Sequence, residues 1–280
     1  MNTLPDAVHH QPAQFARPWR PSALLGGTAA LHVGALGAVI AQPGMLPWAA
    51  ASLGAAHLLL GTAGLWPRST LLGPTLLRLP PSAAGCIALT FDDGPNPALT
   101  PYVLDQLDAH RARATFFCIG EHARRHPDLV AEIARRGHAI ENHSEHHRLH
   151  FSTFGPARIQ REIAEAQQVL TELSGQTPRF FRAPAGLRNV FLEPVLCRLG
   201  LRLAAWTRRG FDTLSDANAD RVTARLVRRL AGRDILLMHD GNPGHEAGGR
   251  PVIHAVLPRV LAAIDDAGLR HVTLREAVAP

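Results

Sequence analysis

The sequence predicts an α/β protein, with parallel strands alternating with helices, preceded by an N-terminal hydrophobic helical hairpin. Three observations predict it. From Cys86 onward, short β-favouring apolar runs alternate with helix-length amphipathic stretches. The polar residues of interest fall at the C-ends of those runs, the face on which βα barrels collect their sites. Ahead of Cys86 stand two blocks with no formally charged residue, each about the ~20 residues needed to span a bilayer.

In chain order, residues 1–21 form a polar, proline-punctuated tail and residues 22–66 the hairpin. Its two blocks are 22–41 and 45–66, with Gln42-Pro43-Gly44 as the turn. Three arrangements fit these blocks: a two-helix membrane hairpin, a single signal-anchor or cleaved signal peptide over the first block, or a buried soluble hairpin. For the hairpin, Arg17 and Arg20 flank the start, Arg68 flanks the end and the turn is uncharged. The positive-inside rule then puts both ends in the cytoplasm. A single anchor in the cytoplasmic membrane puts the following domain outside instead.

Residues 67–84, rich in Pro, Leu and Ser, read as a linker, and 85–280 as the catalytic domain. Within it, strands are expected at 86–91, 114–118, 138–141, 179–182, 201–206, 234–238 and 271–274. Helices are expected at 99–109, 121–136, 157–173, 190–199, 219–230 and 252–267. Residues 241–250 fit either a flexible rim or an ordinary exposed loop.

The 280-residue length suits one large domain plus something small. Its net charge of +6 comes entirely from arginine, because lysine is absent. No arginine cluster is interleaved with aromatics, so no nucleic-acid partner is expected. Cys86, Cys118 and Cys197 lie scattered in apolar runs without CxxC spacing, which reads as buried free thiols.

The chemistry concentrates in two stretches. Leu-Thr-Phe-Asp-Asp-Gly-Pro at 89–95 ends a strand on two adjacent carboxylates. Like charges held together raise each other's pKa unless something offsets them, and a metal ion does so well. Glu-Asn-His-Ser-Glu-His-His at 141–147 supplies histidines four apart, and with one aspartate these make a two-His, one-carboxylate set. Taken separately, each stretch also fits something plainer, a surface histidine cluster or an acidic turn. With His138, His146 and His150 nearby, residue chemistry alone leaves the pair of histidines open.

Thr90-Phe91-Asp92-Asp93-Gly94-Pro95 followed by His143-Ser144-Glu145-His146-His147 resembles the first two motifs of the polysaccharide deacetylase superfamily, over about residues 86–275. The resemblance implies a distorted (β/α) barrel. It implies Asp92 as catalytic base and Asp93, His143 and His147 as ligands of one divalent ion, zinc foremost, with cobalt, iron and manganese compatible. A third motif is similar to Arg182-Ala183-Pro184-Ala185-Gly186: Arg182 would pair with Asp92, and the Ala185 N–H would help hold an oxyanion. The family usually carries a second proline and an aromatic here; both are alanine in this chain, so one wall of a sugar site is missing.

Asp212, in a looser fourth motif with Trp206, would orient the acid histidine, and Trp206 is either pocket wall or core. Leu237-Met238-His239 resembles the fifth motif, making His239 the general acid. The implied activity is metal-dependent hydrolysis of an N-acetyl group on an amino-sugar polysaccharide or oligosaccharide. Deacylation or deformylation of a lipid-linked amino-sugar precursor, O-acetyl esterase action, and an inactive metal-bound glycan-binding module are the alternatives. The implied partners are a glycan or glycolipid and, through residues 22–66, a membrane.

Overall fold

The computed structural model describes residues 16–278, so most of the N-terminal tail lies outside the described residues. Helices α1 (Ala23–Ala41) and α2 (Leu46–Leu65) pack against each other and against little else. Both are long and apolar enough to cross a membrane. Val33, Ile40, Trp48 and Leu58 are each at least 70% exposed, the reverse of a soluble core hairpin.

Eight parallel strands follow in one curled sheet. They are β1 (Cys86–Asp92), β2 (Ala114–Cys118), β3 (Ala139–Asn142), β4 (Phe180–Phe181), β5 (Arg202–Leu203), β6 (Arg208–Arg209), β7 (Ile235–His239) and β8 (Arg270–His271). The order is β5-β4-β3-β2-β1-β7-β6, with β8 paired to the first residues of β1. Among the described residues β5 and β6 share no ladder, so the barrel is open there. Helices connect the strands: α3 (Thr100–Ala109), α4 (Gly120–Arg125), α5 (Pro127–Arg135), α6 (Pro156–Ser174), α7 (Leu192–Leu199), α8 (Ala219–Val227), α9 (Ile253–Asp266) and α10 (Leu274–Ala277).

Two-residue alternation decides which side chains face inward. On β1, Ile87, Leu89 and Phe91 join the outer core with Leu236 and Met238 of β7 under the helices. Cys86 and Ala88 join Ile235 and Leu237 in the inner core. The same parity carries Asp92 and His239, the last residues of their strands and register partners, to the inner side of the C-terminal rim.

Three sequence expectations change. The helix expected over 121–136 is two helices, because Pro127 has no N–H to donate and starts a new first turn at α5. The strand expected at 271–274 is shorter, since Thr273 and Glu276 form a reciprocal cap that opens α10. The stretch read as a linker is packed. Leu72 and Leu79 are buried, Leu76 bridges Ala204 beyond β5, and the Leu79 N–H donates to the Arg233 carbonyl ahead of β7. Arg78 also pairs with buried Asp234 at 2.9 Å. This segment runs across the region where the sheet fails to close. The three cysteines are free and buried, as expected.

Candidate active site

Loops after β1, β3, β4, β6 and β7 converge on a cavity of 150 Å³. Asp92 and Asp93 both line it, and Asp93 leaves the strand in the left-handed region (φ 71°). Gly241 lets the loop after β7 approach that turn, since a side chain there would overlap the Asp93 carbonyl.

Asp93 Oδ1 lies 3.3 Å from His143 Nε2 and 3.2 Å from His147 Nε2. It is buried and accepts no hydrogen bond, which leaves an orphaned anion between two imidazoles. The Nδ1–H of His143 donates to the Arg182 carbonyl at 2.7 Å, so a neutral His143 turns its Nε2 lone pair toward Asp93. Potential ligand atoms on Asp93, His143 and His147 all lie within 4.8 Å of one another. One carboxylate oxygen and two imidazole nitrogens fit a single divalent ion.

The loop brings His143 and His147, of the five histidines in this stretch, to Asp93. The Ser144 N–H donates to Asn142 Oδ1 at 2.9 Å, and the His147 N–H donates to Ser144 Oγ at 3.1 Å. The α4 N-terminus holds the same loop, Gly120 and Glu121 N–H donating to the Ser144 and Glu145 carbonyls. His146 is turned to Glu162, His138 lies in the core beside Phe116, and His150 packs on Phe154. None of these three lines the cavity.

Arg182 is the neighbour expected for Asp92. Its Nη1 donates to Asp92 Oδ1 at 2.6 Å and to Thr90 Oγ1 at 2.8 Å, its Nη2 donates to the Ala205 carbonyl, and its guanidinium lies over Phe117. Both members are buried, so removing either leaves an unpaired interior charge. Across the cavity, His239 Nδ1 lies 2.9 Å from Asp212 Oδ1, and Asp212 Oδ2 accepts the His239 backbone N–H.

The electrostatics separate these groups. Burial alone would raise Asp93, but the close approach and charge of His143, with His239 and His147, hold it well below the usual carboxylate range. Burial drives His147 down to about 4, helped by the charge of His143. Burial also opposes the charge on His143, but Asp92 and Asp93 outweigh it and raise that residue. For His239, burial lowers while Asp212 raises, and the net result is about 9.

Ala185, in the left-handed region at φ 54°, lines the cavity with Gly186. Trp206 is both cavity wall and inner core. The 241–250 loop is a pinned rim: Asn242 lines the cavity and the Gly244 N–H donates to the Asp212 carbonyl at 2.6 Å. Sequence reasoning missed Leu149, Arg209, Thr213 and Asn242 as lining residues. Of these, Asn242 falls in the 241–250 stretch that the sequence offered as a rim.

Residues 80–204 match the polysaccharide deacetylase family. The chain is also 31% identical to a peptidoglycan-N-acetylglucosamine deacetylase of Bacillus cereus over 197 residues, covering 70% of this chain and 89% of that one. The chain belongs to the polysaccharide deacetylase family. A chitooligosaccharide deacetylase of Sinorhizobium fredii is 33% identical, over 69% of this chain and 93% of its own. Among solved structures, the Bc1960 peptidoglycan N-acetylglucosamine deacetylase, in complex with an N-hydroxybenzamide, superimposes with a TM-score of 0.65 at 29% identity, over 72% and 92% of the two chains. The family match ends at residue 204, so Asp212 and His239 lie outside it and reach this polysaccharide deacetylase cavity through β6 and β7.

Proposed function

We propose that this chain is a metal-dependent hydrolase that removes the acetyl group from an N-acetylated amino sugar. The observation that carries this reading is one cavity holding three components: the orphaned Asp93–His143–His147 donor set, a carboxylate held by a buried arginine, and a histidine held by a buried aspartate. Asp93, His143 and His147 would hold the ion, with zinc the first choice for two nitrogens and one oxygen. When bound, the ion supplies Lewis-acid polarisation of the acyl carbonyl and acidifies water.

The chain's own residues do the rest. Asp92 takes a proton from the attacking water while Arg182 fixes its orientation. The water oxygen bonds to the acyl carbon, and the Ala185 N–H donates to the developing oxyanion. His239, protonated and held by Asp212, gives its proton to the sugar nitrogen as the C–N bond breaks. The products are acetate and a free amino sugar. An inactive glycan-binding module has no need of Asp92 or His239 in these positions, whereas an O-acetyl esterase would use the same groups.

The reading extends to 22–66 as a membrane hairpin. At 19 and 20 residues, α1 and α2 span about 30 Å, the thickness of a bilayer core. Trp19 and Trp66 stand exposed at one end and Trp48 at the other, the distribution of interfacial tryptophans.

The test is acetate release by the purified, zinc-supplied full chain from tetra-N-acetylchitotetraose. Asp92→Asn is expected to lower the rate by about 10²- to 10⁴-fold with zinc content unchanged. Asp93→Asn is expected to lose the zinc itself. Undiminished turnover in Asp92→Asn would refute the assignment of the base.

A further inference from the structure

The cavity contains a cation that the deacetylation chemistry does not use. Arg209 lines it, makes no ion pair or hydrogen bond among the described residues, and keeps its Nε buried and unpartnered. Its guanidinium lies between two rings, 5.6 Å from the centroid of Trp206 and 4.9 Å from that of Phe211. Stacking of this kind orients a guanidinium without neutralising it. Asp92, Asp93 and Asp212 are occupied by Arg182, by the two ligand histidines and by His239. Arg209 therefore awaits an anion, and a neutral acetylated oligosaccharide has none.

The surroundings indicate how that anion arrives. Gly186 lines the cavity, and on its other side lies the chain just past the hairpin: a Cβ on Gly186 would stand 2.7 Å from Pro67. The Arg188 N–H donates to the Gly64 carbonyl, fastening the end of α2 to this same loop. Leu149, which lines the cavity, and Phe211, which stacks on Arg209, are 75% and 43% exposed, and Trp66 and Leu71 are exposed at the hairpin end. Exposed apolar side chains both at the cavity and at the hairpin end are suited to contact with a bilayer.

We propose that the substrate is an N-acyl amino sugar joined through phosphate to a membrane lipid, with Arg209 recognising the phosphate and the exposed apolar side chains resting on the bilayer. This rests on the hydrolase reading above and specifies its substrate class. The alanines at 183 and 185 agree with it, because a single sugar on a lipid needs less wall than a long polymer.

The experiment uses the full chain in lipid nanodiscs and compares acetate release from three probes. These are N-acetylglucosamine linked through diphosphate to a long-chain polyprenol, the same sugar on a soluble nucleoside diphosphate, and neutral tetra-N-acetylchitotetraose. The lipid-linked probe is expected to have the highest kcat/KM. In Arg209→Gln its advantage over the neutral probe should shrink roughly tenfold or more, mainly through KM, the loss expected for one charge-assisted hydrogen bond. Arg209→Lys should restore part of it. A neutral probe that is turned over as well as the lipid-linked one, or an advantage untouched in Arg209→Gln, overturns the proposal and leaves the hydrolase reading intact. A soluble nucleotide sugar that equals the lipid-linked probe overturns the membrane source. Silence on all three overturns the hydrolase reading, and the proposal with it.

Discussion

At His239 two opposing effects meet in one side chain. Burial disfavours the imidazolium, yet Asp212, with Asp92 and Asp93 behind it, raises the pKa to about 9. A group raised in this way keeps its proton below that value and loses it as pH rises through it. A rate that needs the proton must therefore fall on the alkaline side. A bound cation pulls the value down, so the falling limb of the metal-loaded enzyme lies at or below about 9. Asp212→Asn removes the largest raising influence and is expected to shift that limb to lower pH, with kcat reduced about 10²-fold or more. A limb that stays in place would show that Asp212 only braces the backbone of His239. Adjacent carboxylates at 92 and 93 and the HxxxH spacing marked the stretches of interest, and the resemblance to the family motifs pointed to Asp92, Asp93, His143 and His147 within them. Selecting His143 and His147 from a histidine-rich stretch was not possible from chemistry alone, since it depends on Asn142 and Ser144 folding the loop. Arg209 was not singled out in the sequence, because its unpartnered guanidinium shows only in three dimensions.

Among the elements, β2 lies where its apolar run placed it, because five consecutive buried residues leave little freedom of register. The two-residue strand β6 was not legible, since its ladder is set by a distant partner rather than by local sequence. The clearest difference is the stretch from Leu72 to Leu79. Its prolines read as a linker, but its leucines occupy the open side of the sheet. Leu79 is fully buried, and Leu79→Ala is expected to cost about 2–5 kcal/mol of stability, by lost burial and the cavity left behind. Thermal unfolding followed by circular dichroism measures this directly, and an unchanged midpoint would restore the linker description. By the same physics, a chain shortened to begin at residue 80 would uncover the edge at Ala204 and invite aggregation.

For the whole molecule, arginines stand at the domain end of the hairpin and none at its tip, so both ends are expected on the cytoplasmic side. Gly44 is exposed at the tip, and the native thiols are all buried. In intact cells, Gly44→Cys is expected to react with a membrane-impermeant maleimide while the unaltered chain stays unlabelled. Labelling of Gly44→Cys only after lysis would reverse the topology. The contacts of Pro67 with Gly186 and of Gly64 with Arg188 also remove slack between anchor and cavity. A domain hung on a flexible tether explores distances growing as about the square root of tether length. With the hairpin in a bilayer, as proposed, the cavity would keep one altitude above that surface. On that reading a sugar joined directly to the lipid phosphate lies within reach, and one carried farther from the bilayer does not.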